Sequence, residues 1–207
     1  MKTLGLSDKN SVEIAVEVLR AGGVVLYPTD TLYALGVDAL SDEAVAKVFA
    51  IKGRGERKFI SAVFSDMAMV ERYAEVNDAA KRLAEKFLPG PLTLVLKKKA
   101  GIETGIARDM GTIGIRIPNH PFCLALAKEF GKPITATSAN ISGEETKNSV
   151  DEIVKQLGSA AEHIDLAIDA GELPPSLPST VLDLSGAEPK ILREGVILSE
   201  KIKEALF

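Results

Sequence analysis

The order of the predicted elements indicates an α/β fold built around a mixed, twisted β-sheet. Strand-like apolar runs alternate with helical segments early in the chain, whereas strands crowd near its end. The 207 residues allow one large domain or two small ones. We expect a single domain over residues 1–207, because the part that follows the Pro-rich loop 171–180 is too short to bury a core of its own.

The first half of the chain predicts strands separated by helices. Asn10 with Glu13 three residues later is typical of a capping box, and Gly22-Gly23 would end this first helix. The next elements, in order, are a strand at 23–27, a helix from 41, a strand at 60–64, helices at 66–73 and 77–88, and a strand at 92–96.

The second half begins with the clean alternation of IGIRI, residues 113–117, which predicts a strand with its isoleucines on one face. The helix PFCLALAKEF follows and ends at Gly131, and Ser149 with Glu152 caps the next helix. The remaining elements are strands at 133–137, 164–169, 179–184 and 190–194, and a weak amphipathic helix at 198–206.

Composition excludes several classes of protein. No run approaches the roughly 20 apolar residues of a membrane span, and the N-terminus lacks the apolar region of a secretory signal, so we expect a cytoplasmic protein without a membrane partner. The single Cys123 permits no internal disulfide. With only His120 and His163 besides, we expect no metal site on the protein. A net charge of −4 argues mildly against a dedicated nucleic-acid binder.

Four cations lie within seven residues at Lys52, Arg54, Arg57 and Lys58. They follow a predicted helix, where positive charge suits the helix dipole, so a solvated helix end is the simpler interpretation. The alternative is an anion cradle, because Arg offers a planar fork and Lys a point charge to phosphate or carboxylate. There is no Walker P-loop, so a nucleotide enzyme would have to bind phosphate in such a way.

Polar groups also follow two predicted strands. YPTDT, residues 27–31, places three oxygen-bearing side chains after an apolar run, and TSANISG, residues 137–143, follows the strand PITA. Both are turn-forming sequences, but ligands of open α/β sheets bind at such strand ends. Arg116 in IGIRI shares the face of Gly114, either as part of a polar outer face, the slightly favoured interpretation, or as a buried anion receptor.

Seven motifs together resemble the YrdC-like threonylcarbamoyl-AMP synthase family, in its short, single-domain form. They occur in the family's order and span roughly residues 10–197: YPTDTLYALG, the K-x-R of Lys52 and Arg54, PGPLT, IRIPNHP, the S-x-N of Ser138 and Asn140, PST, and LREG. The resemblance implies an open, twisted mixed sheet with flanking helices and a large, basic cavity.

The resemblance also implies an activity. Members of the family condense L-threonine, bicarbonate and ATP into threonylcarbamoyl-AMP and release pyrophosphate. A threonylcarbamoyl-transferase complex then modifies an adenosine of tRNA. Because the chain offers few metal ligands, we expect Mg²⁺ to be carried by the ATP phosphates. Weak binding of RNA or tRNA is compatible with Lys97-Lys98-Lys99.

The resemblance also implies roles for individual residues, each through the motif that contains it. The threonine-binding positions that the resemblance implies are Thr31, Arg116, Ala136 through its backbone, and Ser179. The ATP-binding positions are Arg54, Lys58, Thr112, Ser138, Asn140, Thr146 and Arg193. Lys52 and Arg54 are the expected catalytic pair. Thr29 and Asp30 would hold the turn that presents Thr31, and Pro28 would stiffen it.

The sequence departs from the family after the K-x-R motif. Gly55 stands where Pro is usual, Lys58-Phe59-Ile60 replaces an Asn-Pro-Leu-like run, and Val63 stands in place of a His. Two alternatives remain open: a carbamoyl-transfer domain of the hydrogenase-maturation type, and a non-catalytic module that binds double-stranded RNA or tRNA.

Overall fold

A computed structural model describes residues 1–53 and 59–206 and contains a ten-stranded sheet within those residues. The strands are β1 (Lys2–Gly5), β2 (Val25–Pro28), β3 (Tyr33–Gly36), β4 (Ser61–Val63), β5 (Leu92–Lys97), β6 (Thr112–Arg116), β7 (Ile134–Ser138), β8 (Leu166–Asp169), β9 (Thr180–Asp183) and β10 (Lys190–Arg193).

Helices connect most of these strands. The α-helices are α1 (Ser11–Arg20), α2 (Asp42–Ile51), α3 (Met67–Val70), α4 (Asp78–Phe87), α5 (Pro121–Phe130), α6 (Val150–Leu157) and α7 (Ser199–Leu206), and short 3₁₀ helices cover Gly105–Ala107 and Gly158–His163. Side chains cap several N-termini, as predicted for Ser149, whose Oγ accepts from the Glu152 N–H. In the described ranges, no helix is long and apolar enough to cross a membrane.

The sheet is mixed, which confirms the predicted fold class. Its strand order is β1-β8-β2-β3-β7-β4-β6-β5-β9-β10. The pairs β1–β8, β2–β8, β4–β6 and β5–β9 are parallel, and the remaining pairs are antiparallel. The central strands β4 and β6 each have one parallel and one antiparallel neighbour, whereas β7 is antiparallel to both of its neighbours. The ends of these three strands bring together segments that are distant in sequence.

Apolar side chains pack on both faces of the sheet. On β2, Tyr27 joins the cluster that includes α1 and α5, whereas its neighbour Leu26 joins the cluster of α2 and α6. Ile113, Ile115 and Ile117 pack together in the cluster under α4 and α7, as the alternation of IGIRI predicts. Gly114 and Arg116 therefore face the other side of the sheet.

One local prediction was wrong, and two strands were not predicted. The Asn10 side chain makes no capping hydrogen bond, because the residue has φ −110° and ψ 16° rather than the extended backbone that a capping side chain uses. The edge strand β1 was missed, since its four residues show no apolar alternation. The strand β3 was also missed, and TDT is therefore the turn of an antiparallel β2–β3 hairpin, not the exit of an isolated strand.

Candidate active site

A cavity of about 240 Å³ opens beside the β2–β3 turn and the C-terminal ends of β6 and β7. The described residues that line it are Thr29, Thr31, Leu32, Tyr33, Ala34, Phe59, Ile60, Ser61, Arg116, Ala136, Thr137, Ser138, Thr146, Pro178, Ser179, Val181 and Arg193. The two charged residues in this set are Arg116 and Arg193, so the described wall of the cavity is basic. The full size of the cavity stays a prediction.

The hairpin turn is held by the Thr29 hydroxyl. Thr29 Oγ1 donates to the Leu32 carbonyl at 2.7 Å and accepts from the Thr31 and Leu32 N–H groups at 3.1 and 3.2 Å. The hydroxyls of Thr29 and Thr31 lie 3.2 Å apart. Because the Thr29 hydroxyl already donates its single proton to the Leu32 carbonyl, Thr31 must be the donor in this contact. The Thr31 proton thus has only a long contact and can turn to a ligand.

Arg116 is buried and paired with a carboxylate. Its Nη2 donates to Asp30 Oδ1 and to Thr31 Oγ1, both at 2.6 Å, and the residue is only 7% exposed. The second Asp30 oxygen accepts from the Asn119 N–H at 3.1 Å. The favoured interpretation of Arg116 as part of a polar outer face is therefore wrong, because the β2–β3 turn and the loop after β6 cover that face.

One donor of Arg116 stays unsatisfied. Its Nε is buried and has no hydrogen-bond partner among the described residues. Since a buried donor without a partner costs about 1–3 kcal/mol, this atom favours an acceptor supplied from the cavity. Both Nη2 hydrogens are already used. A ligand can therefore take the Nε hydrogen while Asp30 remains in place.

A second arginine, at the end of β10, lines the same cavity. Arg193 donates through Nε and Nη2 to the Ser179 carbonyl at 3.1 and 2.8 Å. The Ser179 hydroxyl in turn contacts buried Thr93 at 2.8 Å, and Thr93 lies opposite Arg116 on β6. Burial lowers the pKa of Arg193, and the positive charge of Arg116 lowers it further. The group nevertheless stays a cation at neutral pH, because proteins do not deprotonate arginine.

Lys52 and the S-x-N motif contact one another directly. Lys52 Nζ donates to the Ser138 carbonyl, and at 2.9 Å to both the Asn140 carbonyl and Asn140 Oδ1. Asn140 Oδ1 also accepts from the Ser138 hydroxyl at 2.6 Å, and its Nδ2 donates to the Glu144 carbonyl. Lys52 is 2% exposed, so these contacts indicate that it positions the turn after β7. Its catalytic role stays a prediction.

The structure brings together most of the residues singled out from the sequence. Those that line the cavity are Thr31, Arg116, Ala136, Ser138, Thr146, Ser179 and Arg193. Lys52 and Asn140 lie behind that wall, and Thr112 begins β6 on the same face as Arg116. Arg54 and Lys58, with Gly55 and Arg57, fall in 54–58, outside the described residues.

Several lining residues were not predicted, including Phe59 and Ser61. Ser61 donates to the Ala136 carbonyl at 3.1 Å and pairs in register with Gly114. The sequence feature that could have indicated this close contact was Gly114, because a glycine inside a strand leaves room for a neighbouring group. A Cβ there would lie 2.4 Å from the Phe59 ring, so the glycine makes room for that wall. Val63, two residues after Ser61, is buried with the α1 and α5 cluster.

Gly114→Ala is expected to displace Phe59 and lower the free energy of unfolding by about 1–3 kcal/mol, as overpacking does. The new Cβ would also approach the Ser61 Cα to 2.9 Å, which the backbone cannot easily relieve. Chemical denaturation measures the change. Gly111→Ala is the matched control, since no described atom lies within 4 Å of its Cβ position. Equal stability of the two variants would contradict the close packing of Phe59 on β6.

A larger cavity of about 450 Å³ adjoins the first and shares Phe59 and Ile60 with it. Its other described walls come from α2 and from residues 105–110, where Arg108 forms an ion pair with Asp42. Within residues 1–53 and 59–206, no group of three or more His, Cys, Asp or Glu side chains is placed to hold a metal ion.

Comparisons with known proteins agree with this geometry. The Sua5/YciO/YrdC family model, described as telomere recombination, matches residues 17–195. A Methanocaldococcus jannaschii protein assigned as a threonylcarbamoyl-AMP synthase is 42% identical over 94% of this chain and 90% of its own.

Solved structures are also similar. Pyrococcus abyssi Sua5 complexed with L-threonine has a TM-score of 0.87 and 35% identity, over 94% of this chain and 57% of that longer protein. Escherichia coli YciO has a TM-score of 0.80 and 31% identity over 94% of both chains. With the family model matching most of its length, the chain belongs to the Sua5/YciO/YrdC family.

Proposed function

We propose that this protein synthesises threonylcarbamoyl-AMP from L-threonine, bicarbonate and ATP, with release of pyrophosphate. The observation that carries the proposal is the buried, unsatisfied Nε of Arg116, a residue that lines the basic cavity and contacts the Thr31 hydroxyl through Nη2. The same cavity gathers the family-motif residues from five separate segments of the chain. Relatives with synthase activity in their names, and a threonine-bound relative of the same fold, support the assignment.

The threonine carboxylate is proposed to bind at Arg116. One carboxylate oxygen would accept from Nε and the other from the Thr31 hydroxyl, whose proton has only a long internal contact. This pairing would satisfy the buried donor and leave the ion pair with Asp30 intact. Ser179 and the Ala136 backbone, which line the same cavity, would contact the rest of the amino acid.

ATP is proposed to occupy the Arg193 side of the cavity. Arg193 presents a cation, and Ser138 and Thr146 present hydroxyl groups to the same cavity. Thr112, Asn140, Arg54 and Lys58 complete the proposed set. The described wall contains no carboxylate, so these residues do not form a metal cage. Mg²⁺ would reach the site on the ATP phosphates, where it neutralises charge.

The proposed chemistry needs positioning more than proton transfer. The threonine amine attacks bicarbonate, and loss of water leaves a carbamate. A carbamate oxygen then attacks the α-phosphorus of ATP, and the bond to the pyrophosphate oxygen breaks. Holding three reactants in line and neutralising their charge supplies the rate acceleration. The arginines and the Lys52-supported turn are suited to both tasks.

Two wider roles belong to the same proposal. The product would pass to a threonylcarbamoyl-transferase complex that modifies tRNA, and the enzyme would act in the cytoplasm. Synthase relatives at 34–42% identity favour this assignment over an RNA-binding module and over a hydrogenase-maturation domain.

Omission of single substrates tests the function. With purified protein, pyrophosphate release should require L-threonine, bicarbonate and ATP together, and should fall to background when any one is left out. Added tRNA should not be required, because the transfer step belongs to another enzyme. Pyrophosphate release that ignores threonine or bicarbonate would contradict the proposal.

A further inference from the structure

Asp30 lies outside the set of residues assigned to either substrate, yet it sets the charge at one end of the cavity. Both of its oxygens are engaged, Oδ1 by Arg116 Nη2 at 2.6 Å and Oδ2 by the Asn119 N–H at 3.1 Å. The Asp30 and Arg116 side chains are only 9% and 8% exposed. A carboxylate held by a backbone N–H and a buried guanidinium stays in place when a ligand arrives.

The two arginines of the cavity therefore differ in net charge. Arg116 has its own buried carboxylate, and the pair sums to zero. Arg193 makes its described hydrogen bonds to Ser179, a neutral residue, and forms no ion pair among the described residues. A site of zero net charge suits a zwitterion, whereas an accessible cation without a paired carboxylate attracts phosphate.

We propose that Asp30 is a specificity-determining residue whose carboxylate neutralises Arg116 and fixes its Nη2, so that this end of the cavity accepts a zwitterionic amino acid and excludes phosphate groups. The inference rests on the proposed function and adds the reason that ATP and threonine do not exchange places. Asp30 touches neither substrate in this arrangement and acts through Arg116.

Inorganic phosphate can test whether the two arginines differ in their attraction for anions. In the wild-type protein, phosphate should raise the apparent KM for ATP and leave the apparent KM for threonine unchanged. The adenylate product is separated by chromatography, because added phosphate disturbs coupled phosphate assays. Competition between phosphate and threonine in the wild type would overturn the proposal without any variant being needed.

Asp30→Asn removes the charge and one of the two acceptors. It should make phosphate compete with threonine, and it should raise the KM for threonine about tenfold while changing the KM for ATP less than about twofold. The control is Asp38→Asn, which removes a partly buried carboxylate that is paired with the exposed Lys132 at 2.9 Å and does not line the cavity. Asp38→Asn should show the wild-type phosphate pattern.

The outcomes separate the two proposals. If the wild type forms no threonine-dependent adenylate, the proposed function fails. If the wild type is active and folded Asp30→Asn keeps the wild-type threonine KM and phosphate pattern, the role of Asp30 fails while the function stands. If Asp30→Asn does not fold, the phosphate pattern of the wild type decides.

Discussion

Arg116→Lys is expected to raise the KM for threonine about 30-fold, because one hydrogen bond between charged groups contributes about 2 kcal/mol. Lysine keeps the positive charge beside Asp30 and can still reach an acceptor there. It lacks the Nε that is buried and unsatisfied in the described structure. The substitution therefore removes the proposed carboxylate contact without leaving Asp30 as a lone buried charge.

Steady-state kinetics with each substrate varied in turn measures this effect. The KM for ATP should change far less than that for threonine, since the proposed phosphate contacts lie on the Arg193 side. Arg193→Lys is the matched comparison and should show the reverse pattern, weakening ATP more than threonine. Equal weakening of both substrates in Arg116→Lys would contradict the assignment of threonine to this end of the cavity.

Lys52→Met is expected to lower the free energy of unfolding by about 3 kcal/mol, because a buried acceptor left without its donor costs about 1–3 kcal/mol. The ammonium group donates to two carbonyls and one side-chain oxygen of Ser138 and Asn140. Methionine fills a similar volume but leaves those oxygens without their donor in a buried place. Synthesis should fall as well, because the turn after β7 loses its support.

Denaturant unfolding provides the measurement. Lys47→Met is the matched control, because Lys47 lies in α2, which ends just before Lys52, and donates to the Gly22 carbonyl at an exposed site. That control should cost less than about 1 kcal/mol. If Lys52→Met were as stable as Lys47→Met, the Nζ contacts would not hold the turn, and a direct role of Lys52 toward substrate would explain the motif better.

The sequence predicted those features of the site that depend on the pattern of neighbouring residues, and not those that depend on contacts between distant segments. The alternation of IGIRI places Arg116 opposite the isoleucines, and the apolar cluster of those isoleucines confirms it. The burial of the Arg116 side chain and its pairing with a carboxylate could not be predicted in the same way. Its partner Asp30 lies 86 residues away, and period two does not say which segment covers a face.

Lys52 illustrates the same limit. The cations around it were visible as a charge run, but the acceptors described for Lys52 belong to residues 86 and 88 positions later. The β2–β3 hairpin was hidden for a different reason. Its turn residues TDT suit a strand end and a hairpin equally, and the short apolar run after them has no pattern that identifies β3.

The packing of Phe59 on Gly114 also required the structure. A glycine in a strand predicts a close approach of some other group, but not which one. Here the register of β4 with β6 brings the backbone of Ser61 and the ring of Phe59 over Gly114. The position of the Phe59 wall thus depends on the pairing of two strands, β4 and β6, that are distant in sequence.

Isotope labelling of the product tests the central claim most directly. Purified protein is incubated with ATP, L-threonine and ¹³C-bicarbonate, and the adenylate is identified by mass spectrometry. The expected product is threonylcarbamoyl-AMP with one labelled carbon in the carbamoyl group, and fragmentation should return unlabelled AMP and unlabelled threonine. An unlabelled threonyl-AMP, or no adenylate at all, would contradict the claim that this cavity joins threonine, bicarbonate and ATP.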